Sequence, residues 1–272
     1  MYPFCYHRPK TLADALSAFG EAGSAAYLSG GHTLLPAMKA RLAAPDALID
    51  LRHIPELKGI RVNTDEVIIC GGATHDEVAN SAEVKKVIPA LAGLAGSIGD
   101  MHVRHMGTIG GSVANNDPAA DYPSAVLALA ATICTDRREI SADDYFTGLY
   151  STVREDDEII THLRFPIPEL AAYAKFRNPA SRYAMAAAFV ARHRDGAVRV
   201  AVTGAGDDGV YRWSEAEEAL CGTFSAEALQ DLAAGAEGMM SDMHATAEYR
   251  AHLVTVMTRR AVASMGHALI FP

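Results

Sequence analysis

The chain is sparing with the residues that mark several protein classes. Among 272 residues there are four cysteines, Cys5, Cys70, Cys134 and Cys221, and no two form a C-x-x-C pair. Iron–sulfur and structural zinc sites gather their thiolates at short spacing, so the chain is expected to carry no cluster or metal of its own. Four scattered cysteines also give no disulfide framework, and each reads as a small apolar group. Positive charge is short: 24 Lys and Arg stand against 33 Asp and Glu, for a net charge of −9. With no basic stripe to offset that balance, a nucleic-acid partner is excluded. No apolar run is long enough to span a bilayer. The opening stretch Met1-Tyr2-Pro3-Phe4-Cys5-Tyr6-His7-Arg8-Pro9 lacks the apolar segment of a secretory signal, so cytoplasmic residence is expected.

What the chain has in quantity is hydrophobic residues, half of the total. That suffices for a large core, and the length fits one large domain or two ordinary ones. The first fifty residues alternate helix and strand. Thr11-Leu12-Ala13-Asp14 resembles a capping box opening a helix over 13–19 that ends at Gly20 and Gly23. A strand over 25–28, a helix over 34–42 tolerating Pro36 in its first turn, and a strand over 47–51 follow. A strand over 66–71 and a helical stretch over 82–98, broken by Pro89, come next. Residues 123–131 are a buried helix or strand, which length alone does not decide. Strands over 133–135 and 158–165 lead to Pro166 and Pro168, and the proline-flanked Ile167 is the expected domain boundary. Beyond it, strands over 173–177, 186–193 and 197–202 precede helices over 214–220, 226–235 and 249–266. The capping box Ser214-Glu215-Ala216-Glu217 opens the first of these. Sheet followed by helices is the α+β pattern of a second, smaller domain.

Two glycine loops carry the functional information. The first is Leu28-Ser29-Gly30-Gly31-His32-Thr33 at a strand's carboxyl end. The second is Thr108-Ile109-Gly110-Gly111-Ser112, followed by Asn115-Asn116-Asp117-Pro118 and Asp121. A Gly-Gly pair beside Ser or Thr lets backbone N–H groups converge on an anion, phosphate above all. Two such loops in one fold can grip both phosphates of a dinucleotide, with Asp121 on sugar hydroxyls.

Other features read more plainly. Gly204-Ala205-Gly206-Asp207-Asp208-Gly209 matches G-x-G-x-x-G, but the strand-like Val210-Tyr211-Arg212-Trp213 follows where a helix is required. It is read as a hairpin turn. His32 is a ligand contact, a covalent attachment point for the ligand or a residue shaping its loop, the first or the last being favoured. His102 and His105 flank Arg104 ahead of the second loop, either favouring phosphate or forming an exposed charged turn. His7 and His75 have no partner at metal-ligand spacing and are assigned no role. Arg250, Arg259 and Arg260 read as a solvated or subunit-contacting face of the last helix.

Gly30-Gly31-His32-Thr33 with Thr108-Ile109-Gly110-Gly111 resembles the paired FAD motifs, GGHS and TIGGN, of the flavoprotein subunit of molybdenum hydroxylases. The resemblance runs through His7-Arg8-Pro9-Lys10 and residues 34–51, 103–123 and 175–188, and is strongest toward the medium subunits of aerobic carbon monoxide dehydrogenases. It implies an α+β architecture: a two-part FAD-binding domain of the vanillyl-alcohol-oxidase (PCMH) type over 1–168, split into two α/β subdomains near 55–60. A small C-terminal domain of antiparallel sheet plus helices follows over 169–272.

The resemblance also implies roles. Leu28, Ser29, Gly30, Gly31, His32, Thr33, Leu34 and Leu35, with Thr108, Ile109, Gly110, Gly111 and Ser112, wrap the pyrophosphate and ribitol of FAD. Asn116 and Asp117 belong to the same site, and Asp121 binds a sugar or ribitol hydroxyl. Ile98 packs on the cofactor, Ile160 meets the isoalloxazine with its backbone, Lys175 approaches it from the C-terminal domain, and Tyr183 places an aromatic ring beside it. No side chain is catalytic, because the flavin carries the redox chemistry. The implied partners are a large molybdopterin-binding subunit and a small subunit with [2Fe–2S] clusters, in a dimer of heterotrimers. An external acceptor, a quinone or a carrier, takes the electrons, with the complex at most peripheral to the inner face of the membrane. Ser112 stands where the family usually has Asn, Thr33 where Ser is commoner, and residues 177–182 differ from the best-known carbon monoxide dehydrogenases. Two alternatives remain: a self-sufficient FAD oxidase or dehydrogenase of the same superfamily, and a non-catalytic assembly subunit. A xanthine dehydrogenase-like complex is the variant within the family.

Overall fold

The computed structural model describes residues 1–264 and 268–271, the last four as backbone only. Its first layer is a parallel sheet in the order Cys5–His7, Ala47–Asp50, Ala25–Leu28. The helix Leu12–Glu21 covers it, with Thr11 Oγ1 accepting the Asp14 N–H at its start. That helix runs through Gly20, which has open space around it, and stops only after Glu21. The helix expected over 34–42 spans Leu34–Lys39, because Arg41 turns into a left-handed conformation (φ 60°) that ends it.

The second layer is antiparallel throughout, in the order Ile60–Val62, Glu66–Cys70, Ile160–Pro166, Thr132–Thr135, Glu139–Ser141. The strand expected over 158–165 starts two residues late. Glu158 is taken by the Arg138 guanidinium at 3.0 Å and by Thr135 Oγ1 at 2.6 Å, which anchors it outside the ladder. Short helices pack on this sheet, among them Ala82–Val87 and Pro89–Ser97, separated where Pro89 was expected to break them. The ambiguous apolar run is a helix, Tyr122–Ala128, buried at every position.

The third layer is a sheet in the order Tyr211–Arg212, Val198–Thr203, Ala184–Arg192, Leu170–Arg177, Ala268–Phe271. Among the described residues only the last of these pairs in parallel, onto Leu170–Arg177. Both faces of this sheet are covered. Ala171, Tyr173, Ala187 and Phe189 join the core of the second layer, while Ala172, Ala174, Ala186 and Ala188 face the helices Ser214–Gly222 and Ala247–Ser264. A run of alanines through the strand Ala184–Arg192 lets elements approach closely from both sides.

Several expectations fail here for local reasons. The helix expected over 226–235 is a single 3₁₀ turn, Ala226–Leu229. The Arg259 guanidinium accepts no helix there: it donates to the carbonyls of Leu229, Gln230 and Leu232, which a continued helix would use internally. The capping box at Ser214 does not form. Trp213 occupies the cap, and Glu217 is drawn to Arg212 and to the Val200 N–H. Arg250 is not on a solvated face. It is 4% exposed and holds the carbonyls of Met185 and Gly204 together with Asp242. The last helix ends at Ser264, and its expected extension over residues 265–266 lies outside the described residues. The 204–209 stretch does connect the antiparallel strands Val198–Thr203 and Tyr211–Arg212, as a loop rather than a two-residue turn.

Candidate functional site

Both glycine loops reach one cavity of about 920 Å³. Its walls are the end of the strand Ala25–Leu28 with the loop after it, the 71–75 and 98–121 segments of the second layer, and residues 180–183 of the third. The loops touch. A Cβ on Gly30 would sit 2.4 Å from the Met106 carbonyl oxygen and 2.6 Å from Gly107 Cα, so only glycine permits this approach. Gly31, at φ 73°, then turns the chain into the helix Leu34–Lys39. Ser29 Oγ and Thr108 Oγ1 share a 2.8 Å hydrogen bond that ties one loop to the other.

The two loops differ in what they leave free. In the second, the N–H groups of Ile109, Gly110 and Ser112 go to the carbonyls of Ala73, Gly71 and Thr108, and that of Gly111 goes to Thr108 Oγ1. In the first, the N–H groups of Gly30, Gly31, His32 and Thr33 have no acceptor among the described residues. The two loops are thus unequal in the backbone amides they leave free. The first loop supplies the converging donors, and the second packs beneath it and forms a wall. Converging free amides are what an anion requires.

Of the residues singled out by sequence, Leu28 to Leu34, Ile98, Thr108, Gly110, Gly111, Ser112, Asp117, Asp121, Ile160 and Tyr183 line the cavity. Four do not. Leu35 packs with Leu28 and Met38, and Ile109 is fully buried in the core of the second layer. Asn116, at left-handed φ 43°, turns its amide to the carbonyls of Gly148 and Ser151. Lys175 is wholly buried behind the wall, where Nζ donates to Asp121 at 2.9 Å. Tyr173 donates to the same carboxylate, and burial with that neighbouring charge pushes its phenol well up. Asp121 therefore faces the cavity with its charge compensated from behind. Arg104 and His105 belong to the helix Met101–Met106 and bond the carbonyls of Ile98 and Met101, and neither lines the cavity.

Two wall residues carried no sequence signal of their own. Arg154 contributes a cation, held by the carbonyls of Asp156 and Glu158 at 3.1 and 2.8 Å. His75 lies 5% exposed, its ring 5.4 Å from that of Tyr122. Its position does have a readable cause: Thr74-His75-Asp76-Glu77 forms a true capping box, which fixes the start of the helix His75–Asn80.

The cavity fits a dinucleotide. Its volume lies at the upper end of the ~300–1,000 Å³ of small-molecule sites. It presents free amides for a diphosphate, a compensated carboxylate for hydroxyls, and apolar surface at Ile98, Ile160 and Tyr183 for a flat ring. Fold and site together define a dinucleotide-binding α+β protein in two parts. Residues 2–168 match the FAD binding domain in molybdopterin dehydrogenase, and residues 171–265 match the CO dehydrogenase flavoprotein C-terminal domain. The chain belongs to this family of molybdopterin dehydrogenase flavoproteins, and FAD is its cofactor. It is 37% identical to the carbon monoxide dehydrogenase medium chain of Afipia carboxidovorans, over 95% of each chain. It is 34% identical to the nicotine 6-hydroxylase medium subunit of Paenarthrobacter nicotinovorans, over 96% of each. The solved structure of reconstituted carbon monoxide dehydrogenase from Oligotropha carboxidovorans superposes with a TM-score of 0.89, at 36% identity, over 97% of this chain and 98% of that one.

Proposed function

We propose that this chain is the electron-transferring medium subunit of a molybdenum hydroxylase complex of the carbon monoxide dehydrogenase type. In this reading, residues 1–168 hold FAD, with a division near 55–60, and residues 169–272 close the site from the other side. The observation that carries it is the contact of the two glycine loops over one cavity, at Gly30 and Gly107. Bound FAD supplies the exchange between carriers that move one electron at a time and an acceptor that takes two.

The chain's own residues bind and orient. The N–H groups of Gly30, Gly31, His32 and Thr33 meet the diphosphate, joined by the hydroxyl of Ser112. Asp121 accepts from a sugar or ribitol hydroxyl, and Lys175 acts by holding Asp121 rather than by touching the ring. Ile98, Ile160 and Tyr183 flank the isoalloxazine, and Asp117 completes the wall. Leu35, Ile109 and Asn116 support the loops from outside. The partners of this reading are a large molybdopterin-binding subunit and a small iron–sulfur subunit, paired as a dimer of heterotrimers, with a quinone or carrier as acceptor. The four cysteines are free, which suits clusters on another chain and a reducing cytoplasm. Among the described residues no helix is long and apolar enough to cross a membrane, so contact with a membrane acceptor would be peripheral. The large subunit selects the substrate.

Reversible removal of FAD from the purified complex tests the role. Deflavinated complex should still show bleaching of its iron–sulfur absorption by reductant, yet pass no electrons to an external dye until FAD is restored. Undiminished dye reduction without FAD would assign the exit of electrons to another subunit.

A further inference from the structure

The cavity wall holds a buried imidazole whose ring nitrogens have no hydrogen-bond partner among the described residues. His75 is 95% buried, being 5% exposed, and its Nδ1 is sealed from solvent with no hydrogen-bond partner. Nδ1 is sealed, so Nε2, which has no hydrogen-bond partner among the described residues, is the ring nitrogen left for an occupant of the cavity. That same edge packs on Gly107: a Cβ there would lie 2.6 Å from Nε2. Gly107 also carries Gly30 on it. The imidazole therefore sits under the place where the two loops touch, next to the free amides of the first.

The ring's electrical state fits a donor. Burial, with the positive charges of His32 and Arg104 nearby, holds its pKa down to about 4, so it is neutral at pH 7. A neutral imidazole has one N–H and one acceptor nitrogen. With the proton on Nε2, the donor faces the cavity and the closed-off Nδ1 is left without the stronger demand of a donor. Asp76 and Glu77 on its own helix bond elsewhere, to His105 and to the Thr74 N–H.

We propose that His75 is a cofactor-positioning residue of this chain, donating from Nε2 to the diphosphate of bound FAD beside the amides of the first glycine loop. This rests on the reading of the cavity as the FAD site. A neutral donor in a buried position strengthens the hold on an anion without placing a further charge beside Arg104.

The test uses the full chain in the complex in which it is isolated, stripped of flavin and titrated with FAD by quenching of flavin fluorescence. The denaturant midpoint of the flavin-free form is measured in parallel. His75→Phe keeps a ring against Tyr122 and removes both nitrogens. It is expected to weaken FAD binding about 3- to 10-fold, the worth of one neutral hydrogen bond. Because it no longer buries an unsatisfied nitrogen, its flavin-free midpoint should be equal to or above that of the parent. His75→Gln, which places an N–H near the Nε2 position, should recover part of the affinity. Weakened binding of adenosine diphosphate by His75→Phe, in step with FAD, is expected from a diphosphate contact. An unchanged FAD dissociation constant overturns the proposal. So does a loss accompanied by a lowered midpoint, which makes His75 a scaffold residue, and so does unaffected adenosine diphosphate binding. If His75→Phe fails to fold, His75→Met takes its place: weaker FAD binding by His75→Met than by His75→Gln supports the proposal, and equal affinities overturn it. A parent chain that takes up no FAD would instead fail the underlying reading.

Discussion

At the scale of single residues, the site is built by small differences in what each group is already bonded to. His75 shows this in its titration. Its folded pKa is about 4 against an ordinary 6.5. Between those values the unfolded chain takes up a proton that the native chain refuses, so stability falls as the pH drops from about 6.5 toward 4 and is unaffected by this group above that window. The loss amounts to roughly 3 kcal/mol at the bottom of the window. Denaturant midpoints of the flavin-free chain at pH 7, 6, 5 and 4 should therefore converge on those of His75→Phe at the top and fall below them at the bottom. Parallel curves would contradict a buried neutral imidazole. None of this was legible from the sequence, where His75 had no partner at a useful spacing. Its burial is produced by Gly107 and Tyr122, distant in the chain. Gly30 and Gly31 were legible because close approach and a left-handed turn demand glycine whatever the context.

At the scale of elements, the junction of the loops depends on Thr108. Its hydroxyl caps the helix Ile109–Asn115 by accepting the Gly111 N–H at 3.1 Å, and it bonds Ser29 across the gap. Thr108→Val keeps the shape and removes both bonds. Loss of a cap costs about 1–2 kcal/mol, so the flavin-free midpoint should fall by a corresponding amount and FAD should dissociate faster. Thr108→Ser should restore both. A Thr108→Val chain with parental stability and flavin retention would refute the tie between the loops. Element types were largely readable, since periodicity and proline position depend on local physics: the break at Pro89 and the strands of the third sheet are examples. Misreadings came where a distant side chain competed for backbone. Arg259 took the carbonyls that a helix over 226–235 needed, and Glu217 left its capping box for Arg212 and Val200. The second glycine loop likewise differs from the first in a way its motif does not show. Its amides are consumed by Gly71 and Ala73, a strand-end neighbourhood that motif spacing does not reveal.

At the scale of the whole molecule, the two parts are joined through their cores and through one buried ion pair. One face of the third sheet contributes Ala171, Tyr173 and Phe189 to the core of the second layer. Lys175 and Tyr173 on that face hold Asp121 at the cavity. An uncompensated buried carboxylate is costly, so the C-terminal part supports Asp121 from behind the wall while its residues 180–183 line the cavity. The residue types of that arrangement were visible in the sequence, but not that Lys175, expected to approach the flavin from the C-terminal domain, lies buried against Asp121. In the function proposed above, such a molecule works as the flavin relay of a larger assembly. The most direct measurement is native purification through a tag on this chain, with the co-purifying chains and the visible spectrum determined on the same sample. A large molybdopterin-binding chain and a small iron–sulfur chain are expected in equal amounts with it, with flavin and cluster absorption together. Recovery of this chain alone, yellow and directly reduced by a small molecule, would contradict it and make the protein a self-sufficient flavoenzyme.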